Sequence, residues 1–494
     1  MTMQDERSTT RNPVEDDTGS GRSGIEAHGV DYVPHAERYG KAWHLAPVWL
    51  MGAAHLVSFT VGFIGPSVGL TLSWSLVAII TGACFGVFFS AFHSTQGPQL
   101  GLPQMIQSRA QFGYRGAVLI FIVVFLGYIG QAVIVSLLSR DSLKATVHLS
   151  PDPALIIAVL VGLIVATIGY KLIHQVARWL TIVFVAVNGV LTVAMFFTIH
   201  LPSGAWSFDG FTWSAFLIQF GATAGYMIAW APYVSDYSRY LPANVSVPSV
   251  FVWAGVGMLA GGTWVMIMGA VLGNAFPDLV AAGDIVGTLQ AGGDTVFEGF
   301  GNIVAIVGIP GLIYLLGMSL YGATLTLLSI FDTVSGTARS SKARLITTIS
   351  LGVVAYFAAV FAPGSFIENL SVFLTILLYT LVPWTAVNLI DFYVVRHTHY
   401  SIRAIFTPDG MYGRWGWRGL TAYGLGFAVM IPFFSTVKWT GPIANNLGGA
   451  DISPFIGLPV AAITYYVLTR SLDLDAEKQA IAQADAGLEP AEAA

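Results

Sequence analysis

AWAPYVSDYSRYLP, residues 229–242, breaks one of twelve long apolar runs that fill this chain. Proline inside a helix removes a backbone hydrogen bond and clashes with the preceding turn. In lipid, backbone freed in that way survives only where protein buries it or where it lines a wet cavity. Pro232 follows Trp230 by two residues, and Asp236 and Arg239 close the segment. A broken membrane helix with a bulky aromatic at its break is a candidate binding site. The runs predict an all-α polytopic membrane protein, and the break predicts where it works.

Composition agrees. Of 494 residues, 55% are hydrophobic and 10% charged, against about 25% charged in an ordinary soluble domain. Mean hydropathy is +0.70. The 54 glycines fit helices that pack closely in lipid. A net charge of −5 gives no reason to expect a nucleic-acid partner. Cys84 is the single cysteine, which excludes an intrachain disulfide and a cysteine-based metal cluster. Residues 1–42 are polar and lack the early apolar core of a signal peptide, so they read as a disordered cytoplasmic tail. Residues 472–494 read as a second, acidic tail.

A bilayer is crossed by about 20 apolar residues in a helix. The runs lie near 46–69, 72–94, 117–139, 154–171, 178–199, 213–237, 247–273, 301–330, 343–363, 366–390, 418–436 and 453–469, and are numbered 1 to 12 below. Lys and Arg concentrate in cytoplasmic loops. With the amino terminus inside, only Arg140, Lys144 and Lys438 fall outside, leaving 19 of the 22 basic residues in the cytoplasm. That asymmetry predicts twelve transmembrane helices with both ends cytoplasmic, in the plasma membrane. The segment 274–300 holds four acidic residues and no basic one, as an outside loop would.

Secondary transporters are often two halves of opposite topology, interrupted at corresponding places. SFTVGFIGPSVG, residues 58–69, is glycine-rich, and Pro66 is read as interrupting run 1. Runs 1 and 6 are five apart and so opposite in sense. They would open two halves, 43–200 and 201–396, with runs 11 and 12 in 397–471. The competing reading is that glycine and proline are common in membrane helices anyway.

Two stretches resemble a known family. GLPQMIQSRAQFGYRG at 101–116 and GYMIAWAPYVSDYSRYLP at 225–242 are similar to signatures of the nucleobase–cation symporter-1 family, the purine/cytosine, uracil, thiamine and allantoin permeases. The purine–cytosine permease branch resembles the chain most, and GIEAHGVDYVPHAERYG at 24–40 looks like that branch's lead-in to run 1. The resemblance spans about residues 24 to 470. It implies a five-plus-five inverted repeat of the amino-acid–polyamine–cation transporter type plus two C-terminal helices. It also implies a substrate held between runs 1, 3, 6 and 8, and coupling to H⁺ or Na⁺ without another cofactor.

A nucleobase is a flat neutral ring with a polar edge, so aromatic faces and a few amide or hydroxyl groups suit it. Trp230 matches the family's stacking tryptophan, and Ala231 beside Pro232 would offer unwound backbone. Tyr128 in run 3 stands where the family carries a second stacking aromatic. One turn on, where many members have an amide, this chain has Ala132, with Gln131 about 100° away round the helix. An interhelical hydrogen bond is the alternative role for Gln131. Run 8 places Ser319, Tyr321, Gly322 and Thr324 toward the site, without the asparagine or the hydroxyl pair that related members use for base edge and sodium. That departure favours H⁺ over Na⁺.

In run 1, Ser58 and Thr60 are candidates for substrate contact, with helix packing the competing role. His55 is an ionisable group in apolar sequence and a candidate for proton coupling, against a satisfied interior histidine. Asp236 and Arg239 share a helix face at the cytoplasmic end of run 6 and suit a gate or local ion pair. No metal-binding, phosphate-binding or catalytic pattern is present, so the chain does not read as an enzyme. The expected function is import of a nucleobase or related neutral nitrogen heterocycle by a lipid-embedded monomer using alternating access. The alternatives are a same-fold transporter of an amino acid, an amine, or a vitamin precursor such as a thiamine pyrimidine or allantoin.

Overall fold

The computed structural model describes residues 31–168, 170–335, 341–362, 365–486 and Leu488. The described residues are helical apart from loops and one antiparallel bridge between Ser435 and Thr440. Every apolar run is helical over most of its length, and each helix below carries its run's number. Helix 1 is in pieces, Leu45–Ala53, Leu56–Val61 and Ile64–Ser67. Helices 2 to 5 are Leu72–Ser94, Ala117–Val147, Pro151–Ile168 and Tyr170–Thr198. Helix 6 is split into Trp213–Ile228 and Val234–Ser238. Helix 7 runs from Val247–Met258 through a π turn at Leu259–Thr263 to Trp264–Ala275. Helices 8 and 9 are Phe300–Ser335 and Ser341–Val360. Helix 10 is Phe366–Leu389, continued as a π turn at Ile390–Val395. Helices 11 and 12 are Trp417–Met430 and Ser453–Thr469. Among the described residues, seven helices are long and apolar enough to cross a membrane, or up to nine if each bent pair is one span.

Helices 1, 2, 6 and 7 pack as one group and helices 3, 4, 8 and 9 as another, with helix 10 against helix 6. The pairings recur when both numbers shift by five. Helix 6 packs on 2 and helix 1 on 7; helix 8 packs on 4 and helix 3 on 9; helix 6 meets 10 and helix 1 meets 5. Glycine sets the closest approach. A Cβ on Gly269 of helix 7 would lie 2.0 Å from the Phe59 carbonyl oxygen, and one on Gly261 would lie 2.2 Å from that of Leu50. Helix 7 therefore presses both halves of helix 1 and holds its break in place.

That break is not at Pro66. The chain bends by 60° between Ala53 and Leu56, with His55 extended at φ −156° and ψ 176°. Ser58 caps the new start: its Oγ donates to the His55 carbonyl at 2.6 Å and accepts the His55 N–H at 3.2 Å. Pro66 sits inside the four-residue turn Ile64–Ser67. In the first turn of a helix its missing N–H had no intrahelical partner to lose.

Both tails are shorter than the sequence predicts. Tyr32 and Val33 are buried, and Arg38 donates to the carbonyls of Val33 at 2.9 Å and Pro98 at 2.6 Å. Residues 1–30 of the expected tail lie outside the described residues. In the acidic tail, Leu474–Ala484 is a helix. Its Glu477 pairs with Arg396 at 2.5 Å. Asp485 accepts the N–H groups of Ile402 and Arg403 at 2.8 and 3.1 Å. Composition registers how polar such segments are, and not that partners wait for them.

Candidate functional site

The two breaks meet. The Tyr226 hydroxyl, one turn before the break in helix 6, lies 3.0 Å from the Ala53 carbonyl and 3.0 Å from His55 Nε2. It donates to the first and accepts from the second. One phenol thus satisfies backbone and side chain that the bend in helix 1 frees. Gln219 on helix 6 does the same further along, accepting the Gly65 N–H at 2.5 Å and donating to the Val61 carbonyl at 3.3 Å.

Beside this junction is a cavity lined from four helices. Helix 6 gives Tyr226, Ala229, Trp230, Pro232 and Tyr233; helix 3 gives Val123, Val124, Gly127, Gln131 and Ile134. Helix 10 gives Leu370, Phe373, Leu374, Leu377 and Leu381, and helix 1 gives Val57. No acidic or basic residue is among them. Trp230 is the centre of an aromatic cluster, edge-on to Trp49 at 5.8 Å and Tyr226 at 6.1 Å, and tilted to Tyr233 at 5.8 Å. The Trp230 Nε1, Trp49 Nε1 and His55 Nδ1 atoms are buried without a hydrogen-bond partner among the described residues. A buried polar group left unpaired costs about 1–3 kcal/mol, so Trp230 holds a donor ready beside the cavity.

The expected residues divide. Trp230 and Gln131 line the cavity, and the Gln131 amide oxygen accepts from the Tyr233 hydroxyl at 3.4 Å. Ala231 is buried beside it, while its neighbours Ala229 and Pro232 form the wall. Tyr128 does not line this cavity. Its ring packs edge-on against Tyr233 at 4.6 Å and over Gly322. The wall face of helix 3 is Gly127 and Gln131, four residues apart, so the aromatic-plus-amide register falls one residue earlier than expected. Phe373 of helix 10 fills the space that glycine leaves at Gly130.

The remaining candidates are turned elsewhere. Ser58 caps the break, and the Thr60 hydroxyl donates to the Leu56 carbonyl at 2.9 Å. Ser319 and Thr324 donate to their own helix at Leu315 and Leu320, at 2.8 and 2.7 Å. Tyr321 has the Arg344 guanidinium over its ring at 5.8 Å. Asp236 accepts the Gln104 N–H at 2.9 Å, and Arg239 donates to the Asp31 carbonyl at 3.1 Å. Both therefore tie the C-terminal end of helix 6 to neighbouring segments. Tyr226, Tyr233 and Phe373 were missed from sequence. The first two lie within one turn of Trp230, a signal that was there to read; Phe373 is distant in sequence and gave none.

A family model for permeases for cytosine/purines, uracil, thiamine and allantoin matches residues 32–457. The chain is 35% identical over 449 residues to the "Putative purine-cytosine permease YxlA" of Bacillus subtilis (strain 168), covering 90% of this chain and 96% of that protein. It is 25% identical over 465 residues to the purine-cytosine permease fcyB of Emericella nidulans, covering 90% and 88%. Among solved structures it is similar to Mhp1, a nucleobase-cation-symport-1 family transporter in a closed conformation with bromovinylhydantoin bound. That likeness has a TM-score of 0.73 at 17% identity and covers 94% of this chain and all of that one.

Proposed function

Because the chain belongs to the family of permeases for cytosine/purines, uracil, thiamine and allantoin, and is thus a multi-pass membrane transporter and not an enzyme, we propose that it imports a purine- or cytosine-type base by alternating access. The observation that carries this reading is Trp230, an unpaired indole donor at the break of helix 6, facing an apolar cavity whose lining includes the Gln131 amide. An aromatic wall and one amide suit a flat neutral ring. A zwitterionic amino acid would need charge partners, and the lining offers none. The pairings that recur on a shift of five support a five-plus-five inverted repeat with helices 11 and 12 outside it. Charge asymmetry supports twelve crossings with both termini in the cytoplasm.

Coupling to H⁺ fits better than coupling to Na⁺. Sodium needs several oxygens, and run 8 lacks the hydroxyl pair that related members use for it. Uptake of labelled cytosine, adenine, hypoxanthine, uracil and allantoin into transport-deficient cells tests the reading. One base should accumulate, indifferent to Na⁺ and abolished by a protonophore. Trp230→Ala should cut uptake at low substrate by about tenfold or more, since base stacking is worth about 1–3 kcal/mol. Uptake that ignores the Trp230 substitution in a well-expressed protein would defeat the stacking site.

A further inference from the structure

A chain of buried amides crosses the inner side of the molecule, and its direction is fixed at one end. Asp391, in the π turn of helix 10, is fully buried and can only accept. Its oxygens take the Tyr400 hydroxyl at 2.7 Å, the Tyr465 hydroxyl at 2.8 Å and the Gln111 amide N–H at 2.8 Å, and Arg396 pairs with it. Gln111 must therefore present its oxygen onward, where Asn388 donates at 3.5 Å. The Asn388 oxygen then takes Gln96 Nε2 at 2.7 Å, and the Gln96 oxygen takes Gln104 Nε2 at 2.8 Å. The Gln104 oxygen is left to accept the Ser235 hydroxyl at 2.6 Å.

The second N–H of Gln104 points at His93 Nδ1, 3.0 Å away. That nitrogen must be the acceptor, so the proton of the neutral ring sits on Nε2 and goes to Thr385 Oγ1 at 2.5 Å. The imidazole also lies flat on Trp384, 4.5 Å between centroids and 7° between planes. A carboxylate at Asp391 thus dictates the tautomer of His93 through four amides. The same chain ties helix 2 to the inner half of helix 6, through Ser235, and to helix 10, through Thr385 and Asn388. Titratable and charged groups on the elements packed here are Asp236, Tyr237 and Arg239 of helix 6, Arg109 of the segment after helix 2, and Asp391, Tyr393 and Arg396 around the end of helix 10.

We propose that His93 is the proton-sensitive latch of the inner gate, a positioning residue that acts through Gln104. Adding a proton to Nδ1 puts two donors face to face, and Gln104 cannot rotate its amide without setting its oxygen against that of Gln96, even though Ser235 can turn its hydroxyl to the His93 carbonyl at 3.0 Å and accept instead. The closed form thus has no place for the proton, whereas an opened, hydrated His93 takes it freely. A ligand that binds one form preferentially shifts the balance toward that form. Acid therefore opens the inner side, freeing the short segment of helix 6 that follows the Trp230 break. The inference builds on the proton-coupled reading above and is tested independently of any substrate.

The experiment is hydrogen exchange on the purified full-length protein, following residues 101–113 and 234–241 and corrected for the intrinsic effect of pH. Between about pH 8 and about pH 5.5, a range bracketing the ordinary histidine value of about 6.5, opening in the wild type should rise by about tenfold. His93→Gln keeps a donor for Thr385 and cannot titrate; its opening should stay flat with pH. Gln104→Glu supplies an acceptor for the charged ring, so acid should close the gate in that variant. The glutamate variant decides the matter if His93→Gln does not fold. An equal acid response in the wild type and His93→Gln, or acid opening in Gln104→Glu, overturns the proposal. Failure of the wild type to carry any base would defeat the transport reading and leave this result untouched.

Discussion

Tyr128 and Gln131 are three residues apart on helix 3, yet only the glutamine reaches the cavity. The tyrosine faces helix 8, and Gly322 is what lets it do so: a Cβ there would lie 2.1 Å from the ring. Gly322→Ala should therefore overpack the contact, at a cost of about 1–3 kcal/mol. It should lower the melting temperature of the solubilised protein, and Tyr128→Ala in the same chain should restore it. A melting temperature unmoved by Gly322→Ala would mean that the rings part without strain. Trp230 was legible because a large aromatic beside a proline is conspicuous in apolar sequence. Tyr128 was expected at the cavity and lies one step of the helix from its wall, since about 100° of rotation separates neighbours and no single sequence fixes that phase. His93 drew no notice, because its meaning depends on Gln104, Thr385 and Asp391, and on a tautomer that sequence cannot show.

Broken helices divide in the same way. The break in helix 6 could be placed from Pro232, which cannot donate. The break in helix 1 has no proline at the bend; it is held by Ser58 and Tyr226, and the second of these is 171 residues from His55. The loop between helices 11 and 12 shows what such elements cost. Asp451 lies there, outside both helices and buried, accepting from the N–H groups of Ser435 at 3.0 Å and Ser453 at 2.9 Å and from the Tyr379 hydroxyl. Burial outweighs these donors and raises its carboxyl above the usual carboxylate range. The fold therefore favours the neutral acid. The stability that this gives is complete below the ordinary value of 3.8 and is lost as pH rises through the raised one. Melting curves of the wild type and Asp451→Asn, taken from about pH 4 to about pH 7, should show the wild type losing ground as pH rises. Parallel curves would mean that the loop does not resist the charge.

That the molecule is all-helical and crosses a membrane many times was legible, because apolar length is summed over many residues and forgives local error; the placement of Lys and Arg adds an expected orientation. Impermeant maleimide applied to intact cells tests that orientation. With Cys84 replaced by serine, a cysteine at His148 should label from outside and one at Asp409 should not; the reverse pattern would invert the topology. What the sums could not show is that the acidic tail is structural. Glu477 and Asp485 hold Arg396 and the backbone of residues 402 and 403, and through Arg396 they reach the carboxylate that orders the amide chain. The ribosome makes Glu477 only after the last apolar run. A nascent chain therefore completes helices 1 to 12 before the ion pair between Arg396 and Glu477 can exist, and a product cut short at residue 471 would hold those twelve helices with Arg396 lacking that partner. The helix Leu474–Ala484 can thus close onto Arg396 only once helix 12 has been made, so the order of synthesis is also the order in which this corner of the fold is tied.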